Sequence, residues 1–159
     1  MNSTYLLLGS NMGNSETLLL TATIYIGEKI GEVKRRSRIY RTAAWGNTEQ
    51  PDFLNQVIIV DTNLNAAETL AEILSIEKKM GRIRTIKNAP RIIDIDILFF
   101  NQEIIAEKDL TVPHPEIPNR RFVLTPLNEL SPNLNHPVLN KTIRRLLAEC
   151  VDPLNVKKF

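Results

Sequence analysis

The chain has 159 residues, 43% of them hydrophobic and 24% charged, a composition that excludes global disorder and suits one folded unit over residues 1–159. Twenty Lys+Arg against eighteen Asp+Glu leave a formal charge of +2, too little to argue for a nucleic-acid or membrane partner. The single cysteine, Cys150, excludes an internal disulfide and a multi-cysteine metal knuckle.

Met1-Asn2-Ser3-Thr4 has neither the basic region nor the apolar stretch of a secretory signal. No apolar run approaches the ~18 residues of a membrane span. A soluble cytoplasmic protein in a reducing compartment is expected. Tyr5 to Leu8 is a short apolar run ending at Gly9, a buried strand. Asn14 or Ser15 caps a helix running to about Gly31, with Leu19, Ala22, Ile26 and Ile30 at helical spacing. Val33 to Arg41 has the pattern of an exposed strand, whose Lys34, Arg35, Arg36 and Arg38 form a solvated edge that discourages pairing. Thr42 to Asp52 holds Gly46, Asn47 and Pro51 and is a loop. Phe53 to Asp61 is a strand, and Asn65 caps a second helix that ends at Gly81. After a polar loop from Arg82 to Pro90, Arg91 to Phe100 is a strand, with Asn101-Gln102 turning it into a short partner over Glu103 to Ile105. The tail opens with Pro113-His114-Pro115 and carries two more helices near Arg120 to Leu130 and Thr142 to Glu149. This order predicts an α+β fold: a ferredoxin-like βαββαβ sandwich with a mainly antiparallel sheet, helices packed on it and a C-terminal helical extension.

The most informative stretch is Arg91-Ile92-Ile93-Asp94-Ile95-Asp96-Ile97-Leu98-Phe99. Strand alternation puts Ile93, Ile95, Ile97 and Phe99 on one face and Asp94 with Asp96 on the other. Two carboxylates held side by side repel, so a cation belongs between them. Hard divalent ions such as Mg²⁺ take these oxygens, and two ions ~4 Å apart could bridge a phosphate chain. Solvated or arginine-bridged aspartates are the alternative. Arg82, Arg84 and Arg91 flank the pair and would serve phosphate oxygens. No G-x-x-x-x-G-K-[ST] run exists, so any nucleotide phosphates are held by side chains and metal rather than a P-loop. Glu77 interrupts the helical stripe Ala66, Leu70, Ile73, Met80, where a carboxylate is either paired or bent out to water. Phe53 and Asn55 share a strand face, which suits a flat heterocycle stacked on the ring and read by the amide, or else a core phenylalanine and a turn asparagine. His114 stands between two prolines and either donates to a phosphate or caps the next segment. His136 is assigned no role.

Several stretches add up to a family resemblance. They are Gly9-Ser10-Asn11, Tyr40-Arg41-Thr42, Gln50-Pro51-Asp52-Phe53-Leu54-Asn55, Glu77 with Gly81-Arg82, Pro90-Arg91-Ile92-Ile93-Asp94-Ile95-Asp96, Leu110-Thr111-Val112-Pro113-His114 and Asn119-Arg120-Arg121-Phe122. On these stretches the chain resembles, over nearly its whole length, the 6-hydroxymethyl-7,8-dihydropterin pyrophosphokinases of folate biosynthesis. The resemblance implies transfer of the β,γ-diphosphate of ATP, the co-substrate, to the pterin hydroxymethyl group, with release of AMP. It implies two Mg²⁺ ions on Asp94 and Asp96, with Arg82 and Arg91 joining them in catalysis. Arg82, Arg84, Arg91, Ile97, Thr111, His114 and Arg120 would bind ATP, with Arg121 as an alternative helper. Thr42, Ala43, Trp45, Phe53, Asn55 and Phe122 would bind the reduced pterin, with Glu77 an acid of undefined role at the site. No nucleic acid or membrane is implied, and a monomer is expected. The loops around Gly46 and over Arg82 to Pro90 are expected to close over the substrates. Three positions depart from the family pattern: Asn88-Ala89 in place of a Trp-Gly pair, Pro115 in place of an aromatic, and Leu74 where a polar residue is common.

Two rival readings are weighed. In a metal-dependent nucleotidyltransferase the aspartates usually follow a Gly-Ser pair closely, whereas Gly9-Ser10 lies far from Asp94. A ferredoxin-like RNA-binding module would need exposed stacking aromatics, and Tyr40 is the only one in the Lys34 to Arg41 stretch. On the pyrophosphokinase reading, Asp96→Ala and Arg91→Ala should each lower turnover about a hundredfold, on the order of 3 kcal/mol of transition-state stabilisation. Folding should be spared; steady-state kinetics beside thermal melts check both.

Overall fold

The computed structural model describes residues 1–43, 51–81 and 92–159. Five β-strands and two helices build the first part of the chain: β1 (Asn2–Ser10), α1 (Ser15–Lys29), β2 (Gly31–Arg36), β3 (Tyr40–Thr42), β4 (Phe53–Thr62), α2 (Ala66–Lys79) and β5 (Asp94–Phe100). β6 (Ile105–Ala106), β7 (Thr111–Val112), α3 (Arg121–Leu130), α4 (Ile143–Glu149) and β8 (Lys157–Lys158) follow. Strands pair in the order β5-β1-β4-β3-β8, with β2 also on β4, and every pair is antiparallel. With β2 and β3 counted as the two halves of one broken strand, this is the expected split-βαβ order.

The helix signals behave as the sequence predicts. Asn14 accepts the Thr17 N–H at 3.2 Å and starts α1. Asn65 and Glu68 form a reciprocal capping box at α2, with bonds of 2.8 and 2.9 Å. Gly81 ends that helix at φ +90°, a backbone conformation that costs a side chain strain but glycine little.

Packing on the two faces of the sheet differs. Leu19, Ala22 and Ile26 of α1 and Ile73 and Ile76 of α2 meet Leu6, Leu8, Ile58, Ile95 and Ile97 on one face. Val123, Leu124 and Leu127 of α3 and Ile143 and Leu146 of α4 meet Leu7, Val57, Leu98 and Phe99 on the other. The sheet is therefore a middle layer, and the C-terminal helices cover what a bare sandwich would leave wet.

Four sequence expectations are corrected. The first strand runs past Gly9 to Ser10. The basic stretch is two strands, both paired to β4, because Ser37 turns inward and its backbone and hydroxyl bind Val57. Those cations are not all idle either, since Arg35 donates to the Leu130 carbonyl at the end of α3 at 2.8 Å. Phe99 leaves the face of Ile93, Ile95 and Ile97, because the register slips where Tyr5 opposes Phe99 but Leu6 opposes Ile97, and this bulge sends Phe99 to the α3 side beside Leu98. The short strand after Asn101 pairs with β7, not with β5. The expected start of that long strand at Arg91, and the loops of residues 44–50 and 82–90, lie outside the described residues. Among the described residues no helix is long and apolar enough to cross a membrane.

Leu124 is fully buried between α3 and the sheet. Leu124→Ala should cost about 2–5 kcal/mol in urea unfolding. A loss below about 1 kcal/mol would mean that α3 does not form part of the core.

Candidate active site

The site grows from three adjacent strands. Gly9 of β1 pairs with Asp94 of β5 on one side and Asn55 of β4 on the other. One cross-strand row thus carries an acid, a glycine and an amide, all on the α3 face. A Cβ on Gly9 would stand 2.8 Å from Asn55 Oδ1, so the glycine is what lets the amide lie flat against β1. Two residues along their strands, Phe53 and Asp96 repeat the same facing.

These side chains line one cavity of about 110 Å³, together with Leu7, Thr42, Ala43, Arg120 and Phe122. Asn55 is 3% exposed, and neither its Nδ2 nor the Thr42 hydroxyl has a hydrogen-bond partner among the described residues. A buried amide donor without an acceptor costs free energy that a ligand with polar edge atoms would recover. Phe53 and Phe122 supply apolar walls. The Arg120 guanidinium carbon lies 5.8 Å from the centroid of the Phe122 ring, and Arg120 pairs with Glu116 at 3.4 Å.

A wider cleft of about 680 Å³ opens beyond β5. Leu70 and Leu74 of α2, Ile97 and Asp96 of β5, and Thr111, His114 and Pro115 line it, with Lys108 and Asp109 at its rim. Asp96 thus belongs to both hollows, while Asp94 faces the smaller one. His114 is fixed here twice. Its backbone N–H donates to Leu98 at 3.0 Å, and its Nδ1 accepts the Glu116 N–H at 3.1 Å. The proton of the neutral ring therefore sits on Nε2, which is a donor. Burial, and then the nearby Arg120 charge, hold its pKa below the usual imidazole value, against the pull of Glu116 and Asp94.

Asp94 and Asp96 are both half-buried and offer hard oxygen donors on one face. Among the described residues no cluster of three His, Cys, Asp or Glu forms a closed metal cage. Mg²⁺ keeps water and takes substrate phosphate oxygens beside one or two carboxylates, so this pair of aspartates suits it. The donors present fit the ion that the sequence implies.

The structure brings together Thr42, Ala43, Phe53, Asn55, Asp94, Asp96, Arg120 and Phe122 in one hollow, and Ile97, Thr111 and His114 with Asp96 in the other. Arg120, expected with the nucleotide, stands on the wall of the smaller hollow. Arg121 is occupied elsewhere: its backbone N–H meets the Asp152 carboxylate at 3.0 Å and its guanidinium the Cys150 carbonyl at 2.9 Å, tying α3 to the C-terminal segment. Trp45, Arg82, Arg84, Arg91 and the Asn88-Ala89 departure lie outside the described residues. Glu77 resolves as the paired alternative, its carboxylate accepting the Ile95 N–H at 2.8 Å. His136 is a fold residue, with Nδ1 accepting the Val138 and Leu139 N–H groups and its ring edge-on to Phe99. Sequence reasoning missed the part played by Gly9; its only signal is a glycine inside an apolar strand that does not end there.

Residues 5–132 match the profile of the family described as 7,8-dihydro-6-hydroxymethylpterin-pyrophosphokinase (HPPK). The chain belongs to this family. Among curated HPPK relatives, the 2-amino-4-hydroxy-6-hydroxymethyldihydropteridine pyrophosphokinase of Aquifex aeolicus is 40% identical over 149 residues, covering 94% of this chain and 92% of its own. The enzyme of the same name from Methylorubrum extorquens is 38% identical over 99% of both chains. The Plasmodium falciparum HPPK-DHPS crystal structure with pteroate superposes with a TM-score of 0.77 at 22% identity, over 93% of this chain and 42% of that one. At that identity the likeness shows the fold, and the HPPK chain spans about two-fifths of the Plasmodium protein.

The His114 pKa sits below 6.5, so between that lowered value and 6.5 the unfolded chain takes up a proton that the folded one refuses. Its contribution to stability is complete above 6.5 and is lost as pH falls through the folded-state value. NMR titration should show His114 with a midpoint below 6.5 and an Nε2–H tautomer at neutral pH. A midpoint above 6.5 would refute the placement of the ring.

Proposed function

We propose that this protein transfers the β,γ-diphosphate of ATP to the hydroxymethyl group of 6-hydroxymethyl-7,8-dihydropterin, yielding AMP and the pterin diphosphate for folate biosynthesis. Membership of the HPPK family supports the reaction. The observation that carries the assignment of residues is that Asp96 lines both the small amide-bearing hollow and the wide cleft. A diphosphate passing between two substrates must cross such a shared wall.

The pterin lies in the smaller hollow, its ring between Phe53 and Phe122 and its polar edge against Asn55 and Thr42. This arrangement gives the orphaned amide and hydroxyl their missing partners. ATP occupies the cleft, with its base toward Leu70, Leu74 and Ile97 and its phosphates toward His114 and Asp96. Nε2–H of His114 donates to a phosphate oxygen, and the ring needs no positive charge to do so. Asp94 and Asp96 hold two Mg²⁺ ions, which when bound neutralise the diphosphate and polarise the attacked phosphorus. Arg82, Arg84, Arg91 and Arg120 supply further positive charge to the phosphates. The pterin hydroxyl attacks the β-phosphorus and the α–β bridging oxygen leaves with AMP. No histidine or lysine base stands in the smaller hollow among the described residues, so catalysis is mainly alignment and electrostatic stabilisation.

Protein mixed with ATP, Mg²⁺ and the hydroxymethyl pterin should release AMP in step with the pterin diphosphate. Release of ADP, or of free pyrophosphate, would end this reading. Asn55→Ala should weaken pterin binding by about 1–3 kcal/mol while leaving ATP binding within twofold, as calorimetry with each ligand would show.

A further inference from the structure

Glu77 is a buried carboxylate for which the reaction above has no use. It is 2% exposed and lies in the last turn of α2, on the stripe that also buries Ile73 and Ile76. A carboxylate there needs partners. Burial strips its water, and the negative end of the helix dipole disfavours it. An apolar residue would pack that stripe at less cost, so the acid does something other than hold the core.

Its geometry says what. β5 is the outermost strand of the sheet, paired with β1 on one side only. Along an antiparallel strand successive N–H groups point to opposite sides, so every second one on an edge strand lacks a ladder partner. Ile95 is such a residue, and at 4% exposure solvent does not satisfy its amide. Glu77 Oε2 accepts that N–H at 2.8 Å. Ile95 is the single residue between Asp94 and Asp96. The bond therefore acts on the stretch of backbone that sets the direction of both carboxylates and the gap between them. α2 is itself a firm anchor, since its first turn is closed by the Asn65–Glu68 capping box. Further along the same open edge the His114 N–H closes onto Leu98, so one bond fixes the strand between the aspartates and the other fixes it two residues beyond Asp96.

We propose that Glu77 is a positioning residue for the aspartate pair: by holding the Ile95 amide from the open edge of β5, it sets Asp94 and Asp96 in the arrangement that receives metal-bound nucleotide. This rests on the function proposed above. Glu77 touches neither reacting atoms nor substrate in this role. What it supplies is a hydrogen-bond acceptor on a rigid helix, so an amide oxygen in the same place should serve nearly as well as a carboxylate.

The test compares Glu77→Gln, which keeps an acceptor, with Glu77→Leu, which removes it. A non-hydrolysable ATP analogue is titrated at a series of Mg²⁺ concentrations, and pterin binding is measured separately. For E77L the Mg²⁺ needed for half-maximal analogue binding should rise 10- to 100-fold, the usual effect of losing a partner that orients a metal ligand. E77Q should stay within about threefold of the parent, and both variants should bind pterin as the parent does, since Asn55 and Phe53 stand two strands away. Amide exchange of Ile95 should be slow in the parent and in E77Q and should accelerate in E77L while α1 and β4 stay protected. A folded E77L with the parent's Mg²⁺ requirement overturns the proposal. So does an E77Q as impaired as E77L, because the charge rather than the acceptor would then matter. Equal losses of pterin and nucleotide binding in E77L would mark a general structural role, also against it. Should E77L not fold, E77Q alone decides: a raised Mg²⁺ requirement or a fast-exchanging Ile95 amide overturns the proposal, and parental values for both uphold it. Parent protein whose analogue binding ignores Mg²⁺ would instead sink the function proposed above, and that outcome is read before any variant is made.

Discussion

Two negative charges on one strand face are the constraint around which this molecule is arranged. Asp94 and Asp96 point the same way because β5 is extended there, and they stay together because β5 is locked in register to β1 through Gly9, Leu8 and Leu7. Free carboxylates in water would separate; these cannot without breaking the ladder. The repulsion between them is therefore built in, and the proposed Mg²⁺ would ease it. The same ladder continues through Gly9 to Asn55. Strands lie ~4.8 Å apart, so the backbone of the amide is held roughly 10 Å from that of the first acid. On the proposed function, a rigid sheet thereby spaces the two substrates.

The position of β5 at the edge of the sheet matters as much as its residues. A central strand would have neighbours on both sides, and no nucleotide-sized cleft could open next to Asp96. At the edge, the outer side of the strand faces α2 on one hand and the segment from Lys108 to Pro115 on the other, and the cleft forms between them. An edge leaves unpaired backbone groups, which are costly when buried. Glu77 and the His114 amide take two of them, so the open edge is sealed beside Asp94 and Asp96.

The C-terminal helices complete the second half of the site. α3 packs Val123, Leu124 and Leu127 onto the sheet face that also bears the aspartates, and its start presents Arg120 and Phe122 to the smaller hollow. Arg121 and Asp152 tie that start to the end of the chain. Tyr40 and Glu129, bonded at 2.5 Å, tie the end of α3 to β3, and burial followed by that bond pushes the Tyr40 pKa up to about 12. This wall of the smaller hollow is thus clamped at both ends of one ten-residue helix.

Local patterns in the chain determined β1, β4 and β5, the helices with their Asn14 and Asn65 caps, the βαββαβ order and the shared facing of Asp94 with Asp96 and of Phe53 with Asn55. Each of these depends on neighbours a few residues apart, through the two-residue period of strands, the helical stripe or a capping side chain. Tertiary structure decided what depends on distant partners. The bulge opposite Tyr5 and Leu6 moved Phe99 to the other core, and no alternation rule within β5 contains that information. Gly9 became the floor beneath Asn55 only because β1 lies between β4 and β5. Arg120 and Arg121, adjacent in sequence, parted because one points to the hollow and the other is claimed by the C-terminal segment. Glu77 stood open between two readings until α2 met the edge of β5, since the amide it binds lies 18 residues further along the chain. Short-range order is written in neighbouring residues, whereas a buried polar group is explained only by the partner that folding brings to it.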